Sequence, residues 1–419
     1  MVLRLLDDGR VLYGGTPPRF MKLTESGRDV ARSLFRGADQ PDGQAPLPGR
    51  SALHSRLVTA GMVPPARPVS GRSLPSFGMV IPHFNNPAGA VATAACLLTA
   101  VSCIAEASES PGMDPSIVVV DDGSDGPARH ELRRRLGVLD PRVTVLDLAQ
   151  NQGPGAARNL GAASIDAEVI VFADCDVSIS QHTLEELLSW LTDDSIAACA
   201  PRIRPTEESG VIARYEKRCS ALDVAPNDSL QPTLVGPGRQ VVYVPSTVLV
   251  ARSEVFRSLG GFDAGLRFGE DVDLIWRLAS SSNHVLLDPS VSARHPARSS
   301  LADLAEQRYR YGTSAASLAT RHRDVVAPAA VSPAMALAAA AGLVLPRLAA
   351  GPSFVMAAAW DARLRARSFA EATSGLPGSA ALGATESLRS NLASARSVVR
   401  ALNRTWWPIT MALVAQPWS

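Results

Sequence analysis

The segment Glu168 to Val177, E-V-I-V-F-A-D-C-D-V, is the point from which the rest of this chain can be read. Val169, Ile170, Val171 and Phe172 form a short apolar, β-prone run, of the length expected for a strand buried on both faces of a parallel sheet. Asp174 and Asp176 follow at once, separated by one residue. Open α/β sheets bind ligands beyond the carboxyl ends of their strands, so both carboxylates stand where a ligand is expected. They repel each other unless a cation lies beside them, and hard oxygen donors suit Mg²⁺ or Mn²⁺ held jointly with the oxygens of a substrate phosphate. An isolated D-x-D is more often a solvated turn, so its meaning depends on its neighbours.

Working outward, a β-α repeat begins at Phe77. Gly78 to Ile81 reads as a strand, Pro82-His83-Phe84-Asn85 as the turn leaving it, and Ala88 to Ala107 as an Ala- and Leu-rich helix. Further strands are expected over Ile117 to Val120 and Val143 to Leu148. Strands alternating with helices at this spacing predict an α/β domain, a mostly parallel sheet flanked by helices. Each loop after a strand carries chemistry. Phe84 offers a flat face and Asn85 an amide, suited to a planar base. Asp122, in D-D-G-S, can accept from a pyrimidine imide, and Gly123 lets backbone come close. Gly153, Gly155, Arg158 and Asn159 open a helix, where free N–H groups and a guanidinium favour a phosphate. Each loop taken alone is equally an ordinary turn.

Beyond the D-x-D, a helix is expected over Thr183 to Leu191 and strands over Ile196 to Ile203 and Val241 to Ala251. Glu270, Asp271 and Asp273 then gather at the start of a helix whose buried side is Leu274, Ile275 and Leu278. Acidic residues sit there for the helix dipole alone, but three exceed what a cap requires, and a carboxylate so placed can serve as general base. His295 reads as a metal ligand or phosphate contact, or equally as a surface or core histidine.

At 419 residues, with 46% hydrophobic and 19% charged residues, the chain has room for one large α/β domain and smaller additions. A net charge of +1 gives no support for a nucleic-acid partner. Five cysteines without C-x-x-C spacing argue against a zinc site or a disulfide framework, and Cys175 reads as an inward-facing filler. Charges at Arg4, Asp7, Asp8 and Arg10 come too early for a signal peptide, so a cytoplasmic location is expected.

Residues 1–65 predict a separate module: a hairpin about Asp8-Gly9, a helix capped by Thr24 or Ser26, and a second helix from Ala52 to Ala60. Residues 66–76 read as a linker, 77–320 as the α/β domain and 321–419 as an apolar helical tail. Val325 to Pro346 carries no charge before Arg347, close to the roughly 20 residues that span a bilayer. Alanine and three prolines within it leave a buried or interfacial hairpin equally open. Arg389, Arg396, Arg400 and Arg404 beside Trp406-Trp407 fit the cytoplasmic surface of a membrane.

The ordered set I-P-H-F-N, V-D-D-G-S, N-x-G-P-G-A-A-R-N, A-D-C-D, G-G-F-D and G-E-D resembles that of the inverting family-two glycosyltransferases of GT-A fold, over roughly Phe77 to Tyr311. The resemblance implies a UDP-sugar donor held by Pro82, Phe84, Asn85, Asp121 and Asp122, with Gly155, Arg158, Asn159 and Asp174 at the diphosphate. It implies Mg or Mn on Asp174 and Asp176, with His295 as a further ligand, and Asp271 as the catalytic base. Gln307 to Tyr311 is similar to the Q-x-x-R-W motif of processive synthases, with tyrosine in place of tryptophan and Arg310 toward the leaving diphosphate. The N-terminal module and apolar tail are most similar to the mycofactocin-system group of this family, which implies a chain of β-1,4-linked glucose built on a peptide-derived redox cofactor precursor. A transferase acting on a cell-envelope polysaccharide or lipid is the alternative acceptor reading. A sugar-nucleotide pyrophosphorylase would open with a basic glycine-rich loop, and a Rossmann dehydrogenase would place its glycine loop after the first strand rather than the third. A non-catalytic peptide- or membrane-binding scaffold fits poorly with Asp122, Asp174, Asp176 and Asp271 all intact.

Overall fold

The computed structural model describes residues 3–6, 9–15, 19–35, 50–68, 73–107, 115–206, 210–225, 229–281, 283–298, 300–323, 336, 347–372, 383–389 and 391–392. It divides into two compact units, Pro64–Val325 and a second made of Met1–Val63 with Val326–Ser419.

In the second unit, β1 (Arg4–Leu6), β2 (Val11–Gly14) and β3 (Arg19–Lys22) form an antiparallel sheet. Gly9, at φ 89°, lies in the connection that pairs Leu6 with Val11, while its neighbour Asp8 falls outside the described residues. Thr24, rather than Ser26, caps α1 (Glu25–Phe35) by accepting from the Gly27 N–H at 3.2 Å. With α2 (Arg50–Thr59), this builds a small core of Leu12, Ala31, Leu57, Ala60 and Met62. The tail joins the same unit: Phe369, on the helix Arg347–Ala372, stacks edge-on against Tyr13 (4.5 Å) and Phe20 (4.8 Å). The charge-free run to Pro346 is described only at residue 336, and the arginines from 396 onward and both tryptophans lie outside the described residues.

The larger unit carries an eight-stranded sheet. In chain order its strands are β4 (Phe77–His83), β5 (Ile117–Asp121), β6 (Val143–Asp147), β7 (Val169–Ala173), β8 (Ile196–Pro205), β9 (Thr233–Val235), β10 (Val248–Arg252) and β11 (His284–His295). Across the sheet they lie in the order β6-β5-β4-β7-β10-β8-β11-β9. Pairings among β6, β5, β4 and β7 are parallel, as is β8 with β11. β10 runs antiparallel to both neighbours, and β9 is antiparallel to β11. β4, β5 and β7 are buried along their whole lengths, as unbroken apolar runs require.

The crossovers are α3 (Pro87–Ala107), α4 (Gly126–Leu136) and α5 (Pro154–Ala163). α3 is the only described helix long and apolar enough to cross a membrane, but half of that stretch is buried and it links β4 to β5. α5 lies close on the sheet because a side chain at Gly161 would meet Val80 at 2.4 Å. The order of strand placement reverses about β4: the first connections build outward to β6, and the next returns to lay the parallel strand β7 on the other side. That is a topological switch point, where the carboxyl ends of strands open a crevice.

After β7 come α6 (Gln181–Trp190), α7 (Val211–Cys219), α8 (Ser253–Ser258), α9 (Glu270–Ser280) and α10 (Leu301–Arg321). The strand expected over Val241 to Ala251 begins only at Val248; Val241 makes an isolated bridge to Val235. Pro245 has no N–H for a ladder, and the Thr247 carbonyl instead accepts from the N–H of Asp174 at 2.9 Å. The linker is pinned to this unit at Arg67, whose guanidinium meets the fully buried Asp288 at 2.9 Å while Trp190 Nε1 donates to the same carboxylate at 2.9 Å.

Candidate active site

Three loops meet at the switch point. In the first, Pro82 is buried within β4 opposite Val120, and Phe84 projects into solvent, 49% exposed. Asn85 sits at φ 51°, sparsely populated for a residue with a side chain, and is held there from both ends. Its N–H donates to Ser124 Oγ (2.9 Å), and its Oδ1 accepts from the Asp125 N–H (2.9 Å). Beneath it lies His83, 2% exposed. Its Nε2 accepts from the Asn86 N–H at 3.1 Å, which assigns the ring proton to Nδ1, 3.2 Å from Asp121 Oδ1. Burial lowers the histidine pKa, against the pull of Asp121, so the ring is neutral.

Asp121, expected at the donor, is fully buried below the loop and serves as its anchor. It accepts from Arg129 Nε at 2.8 Å and the Ser124 N–H at 3.2 Å. Burial acts against its charge, but these hydrogen bonds and that from His83 hold it below the usual carboxylate range. Asp122 also faces backbone: its oxygens accept from the N–H groups of Gln152 (2.7 Å) and Gly153 (2.8 Å). It ties the second loop to the glycine loop that opens α5.

Arg158, on the first turns of α5, is the centre of the site. It is 3% exposed and donates to Asp174 Oδ1 at 2.6 Å and Glu270 Oε1 at 3.1 Å. Its guanidinium carbon lies 5.2 Å from the centre of the Phe262 ring. Loss of hydration works against its charge, but Asp174 and then Glu270 outweigh that and raise its pKa further. The D-x-D and E-D motifs are thereby joined by one side chain. Gly155 allows this approach, since a Cβ there would stand 3.3 Å from Phe262 and 3.4 Å from Glu270. Asn159 faces protein rather than open space: its amide donates to the Phe262 carbonyl (2.7 Å) and accepts from the Phe262 N–H (2.9 Å), clamping the G-G-F-D loop.

After the D-x-D, Asp176 Oδ1 lies 3.4 Å from His295 Nε2. His295 Nδ1 is 2.8 Å from the Pro296 carbonyl, which can only accept, so Nδ1 carries hydrogen and Nε2 turns its other face to Asp176. Two electron-rich atoms then meet across a gap that a proton or a cation fills, and a carbonyl behind the second ring nitrogen is the usual support of a metal-bound histidine. Burial first, and Asp174 among its neighbours, raise the Asp176 pKa, although His295 opposes this. Among the described residues no three His, Cys, Asp or Glu side chains form a closed metal cage. Of the expected set Asp174, Asp176 and His295, the structure pairs Asp176 with His295, while Asp174 is hydrogen-bonded to Arg158. The Cys175 thiol, pushed up to about 12 by burial and then by Asp176 and Asp174, stays protonated and is no thiolate ligand.

Asp271 follows Glu270 in the first turn of α9. Burial first, and the charge of Glu270 second, push its carboxyl up to about 7, while Arg158 pulls the other way. Tyr311 is raised above the ordinary phenol value by burial and then by Asp271, and its hydroxyl accepts from Gln307 Nε2 at 3.3 Å. Arg310, expected toward the diphosphate, is instead turned outward on α10, its side chain 54% exposed and paired with Glu306 one turn away. Helical periodicity separates adjacent residues by about 100°, so Tyr311 and Arg310 cannot share a face.

Sequence reasoning assigned no role to three supports of the site: His83 and Phe262, which lie inside the I-P-H-F-N and G-G-F-D motifs, and Asn86, which directly follows the first; membership of or adjacency to a motif is the one signal that pointed to them.

The family model for glycosyl transferase family 2 matches residues 79–248, and that for glycosyl transferase family group 2 matches residues 169–415. A pre-mycofactocin glycosyltransferase of Mycobacterium tuberculosis is 34% identical over 332 residues, 79% of this chain and 64% of the relative, so the chain spans just under two thirds of that relative's length. A succinoglycan biosynthesis protein of Rhizobium meliloti is 25% identical over 58% of this chain and 77% of its own. Among solved structures, a mannosyltransferase of Pyrobaculum calidifontis in complex with GDP-Man and Mn²⁺ superposes with a TM-score of 0.48 at 19% identity, over 83% of this chain and 91% of its own. With a family match covering more than half of its residues, the chain belongs to glycosyl transferase family group 2.

Proposed function

We propose that the protein is an inverting glycosyltransferase that moves a hexose, glucose in the first instance, from a UDP-sugar to a hydroxyl acceptor. The acceptor we propose is a peptide-derived redox cofactor precursor of the pre-mycofactocin type, following the name of the Mycobacterium tuberculosis relative, with β-1,4-linked glucose units added in succession. One observation carries the reading: Arg158 holds Asp174 and Glu270 together, and burial, then the Glu270 charge, push the carboxyl of the next residue, Asp271, up to about 7.

A carboxyl of that strength is half ionised near neutrality, where a general base is most effective. Asp271 takes the proton of the acceptor hydroxyl as its oxygen forms the new bond to the anomeric carbon. The bond to the diphosphate breaks on the opposite face, and the configuration inverts. General-base assistance contributes about 10² to 10⁴ in rate. Phe84 stacks on the donor base, and Asp122, accepting from the Gln152 and Gly153 N–H groups, fixes the glycine loop at the start of α5 beside the diphosphate. Arg158 holds Asp174 in place through a hydrogen bond of 2.6 Å. Asp174, Asp176 and His295 are the residues that would hold Mg or Mn, which would supply neutralisation of charge on the departing diphosphate. The same reading places the protein at the cytoplasmic face of the cell membrane, for which the charge-free run before Arg347 and the tryptophan pair near the end of the chain are the support.

The test is mass spectrometry of reactions that offer UDP-glucose, UDP-galactose and UDP-N-acetylglucosamine to pre-mycofactocin with Mn²⁺ or Mg²⁺. A ladder of added hexoses from UDP-glucose supports the reading; the absence of any transfer, with wild-type protein that is folded and binds UDP, overturns it.

A further inference from the structure

His83 lies inside the I-P-H-F-N motif yet touches neither open crevice nor solvent. We infer that His83 is a positioning residue for nucleotide-base binding: its ring sets the conformation of the Phe84-Asn85 loop and couples that loop to the Asp174-Cys175-Asp176 turn. The inference rests on the proposed reading that Phe84 receives the donor base.

The geometry runs in two directions from one ring. Toward β5, Nδ1–H reaches Asp121 Oδ1 at 3.2 Å and lies 3.4 Å from Ser124 Oγ, the atom that accepts the Asn85 N–H. Toward the metal-binding turn, Nε2 accepts the Asn86 N–H at 3.1 Å. Asn86 passes the restraint on: its Oδ1 accepts the Gly89 N–H at 3.1 Å at the start of α3, and its Nδ2 lies 3.7 Å from Cys175 Sγ. Gly89 itself leaves no room for a side chain, since a Cβ would stand 2.4 Å from the Cys175 carbonyl. Asn85 at φ 51° is a conformation its neighbours must impose, and His83 is fixed to both the hydroxyl before it and the N–H after it.

Only a group that offers an acceptor to Asn86 can do this. A phenyl ring in place of the imidazole has the shape but neither bond, leaving the Asn86 N–H without its acceptor and Asp121 Oδ1 with the Ser124 N–H alone. A glutamine can reach the Nε2 position with a carbonyl oxygen. Asp271, across the site, is touched by neither change. The signature is therefore a weaker donor complex at unaltered chemistry.

Titrate the full chain with UDP by calorimetry, with GDP as a parallel probe, and measure KM for UDP-glucose and kcat for wild type, His83→Phe and His83→Gln. The expected result is a roughly tenfold rise in both the Kd of UDP and the KM with His83→Phe, kcat within about twofold, and recovery to within about threefold of wild type with His83→Gln. A merely structural histidine would lower the melting temperature and the active fraction but leave KM and Kd of the folded protein unchanged; that result overturns the inference. Should His83→Phe fail to fold, Ser124→Ala removes the acceptor of the Asn85 N–H and must raise KM in the same sense, and an unchanged KM there also overturns it. Wild type that binds neither UDP nor GDP would instead sink the base-stacking reading of Phe84, an outcome separate from equal UDP binding by wild type and His83→Phe.

Discussion

Replacing Arg158 by methionine tests the organisation of the site most directly, because methionine keeps an unbranched apolar stem and removes the guanidinium with its charge and hydrogen bonds. Two carboxylates then lose their partner: Glu270, with 10% of its side chain exposed, and Asp174, with 26%. Breaking a buried pair by deleting one member costs about 3–5 kcal/mol. Asp174 rehydrates in part, and the loss of the guanidinium's contact with Phe262 adds a smaller amount, so the middle of that range is expected. For a domain of this size each kcal/mol moves the melting temperature by roughly 2–4 °C. Differential scanning calorimetry at pH 8 should therefore place Arg158→Met on the order of 10 °C below wild type. The sign of a second effect follows from the same contacts. Arg158 draws the Asp271 carboxyl down and Glu270 pushes it up toward its position of about 7. Arg158→Met should move the acid limb of the kcat/KM profile to higher pH, and Glu270→Gln to lower pH. In the double variant Glu270→Gln should return part of the lost stability, since the unpaired carboxylate is gone. A melting temperature within 2 °C of wild type, or an acid limb at one pH in all three proteins, would refute the clamp.

Other perturbations read other parts. Asp271→Asn should reduce transfer by at least about 10² while leaving UDP affinity nearly intact, as kinetics and calorimetry together would show. The same variant should melt higher than wild type above pH 7 and not below pH 4: the folded-state pKa of Asp271 is raised, so the stability tied to its protonated form is present in acid and lost as pH rises through about 7. Chelation by EDTA should abolish transfer, with Mn²⁺ or Mg²⁺ restoring it, and Asp176→Ala should require a higher Mn²⁺ concentration for half-maximal rate; equal metal response in both proteins would remove Asp176 from the ligand set. Gly161→Ala brings a methyl group to 2.4 Å from Val80, and overpacking of this kind costs about 1–3 kcal/mol, visible in urea midpoints with KM unchanged.

The residues themselves announced the sheet. Runs such as Val169 to Phe172 and Ile117 to Val120 are too apolar for anything but strands buried on both faces, and β-α alternation leaves few ways to connect them. The carboxylates after those strands were equally legible, because chain polarity alone puts them at the carboxyl edge. What each carboxylate does was settled by partners far away in sequence. Arg158 meets Glu270 across 112 residues and Asn159 meets Phe262 across 103, distances no local pattern spans. Asp121 and Asp122 read alike as neighbours in D-D-G-S, yet one anchors His83 and Arg129 while the other holds the glycine loop. Arg310 looked like a phosphate contact until the phase of α10 turned it to Glu306. Strand and helix identity depend on apolar spacing that neighbouring residues carry with them, whereas the choice among competing hydrogen-bond and charge partners is made only when packing brings distant segments within about 3 Å.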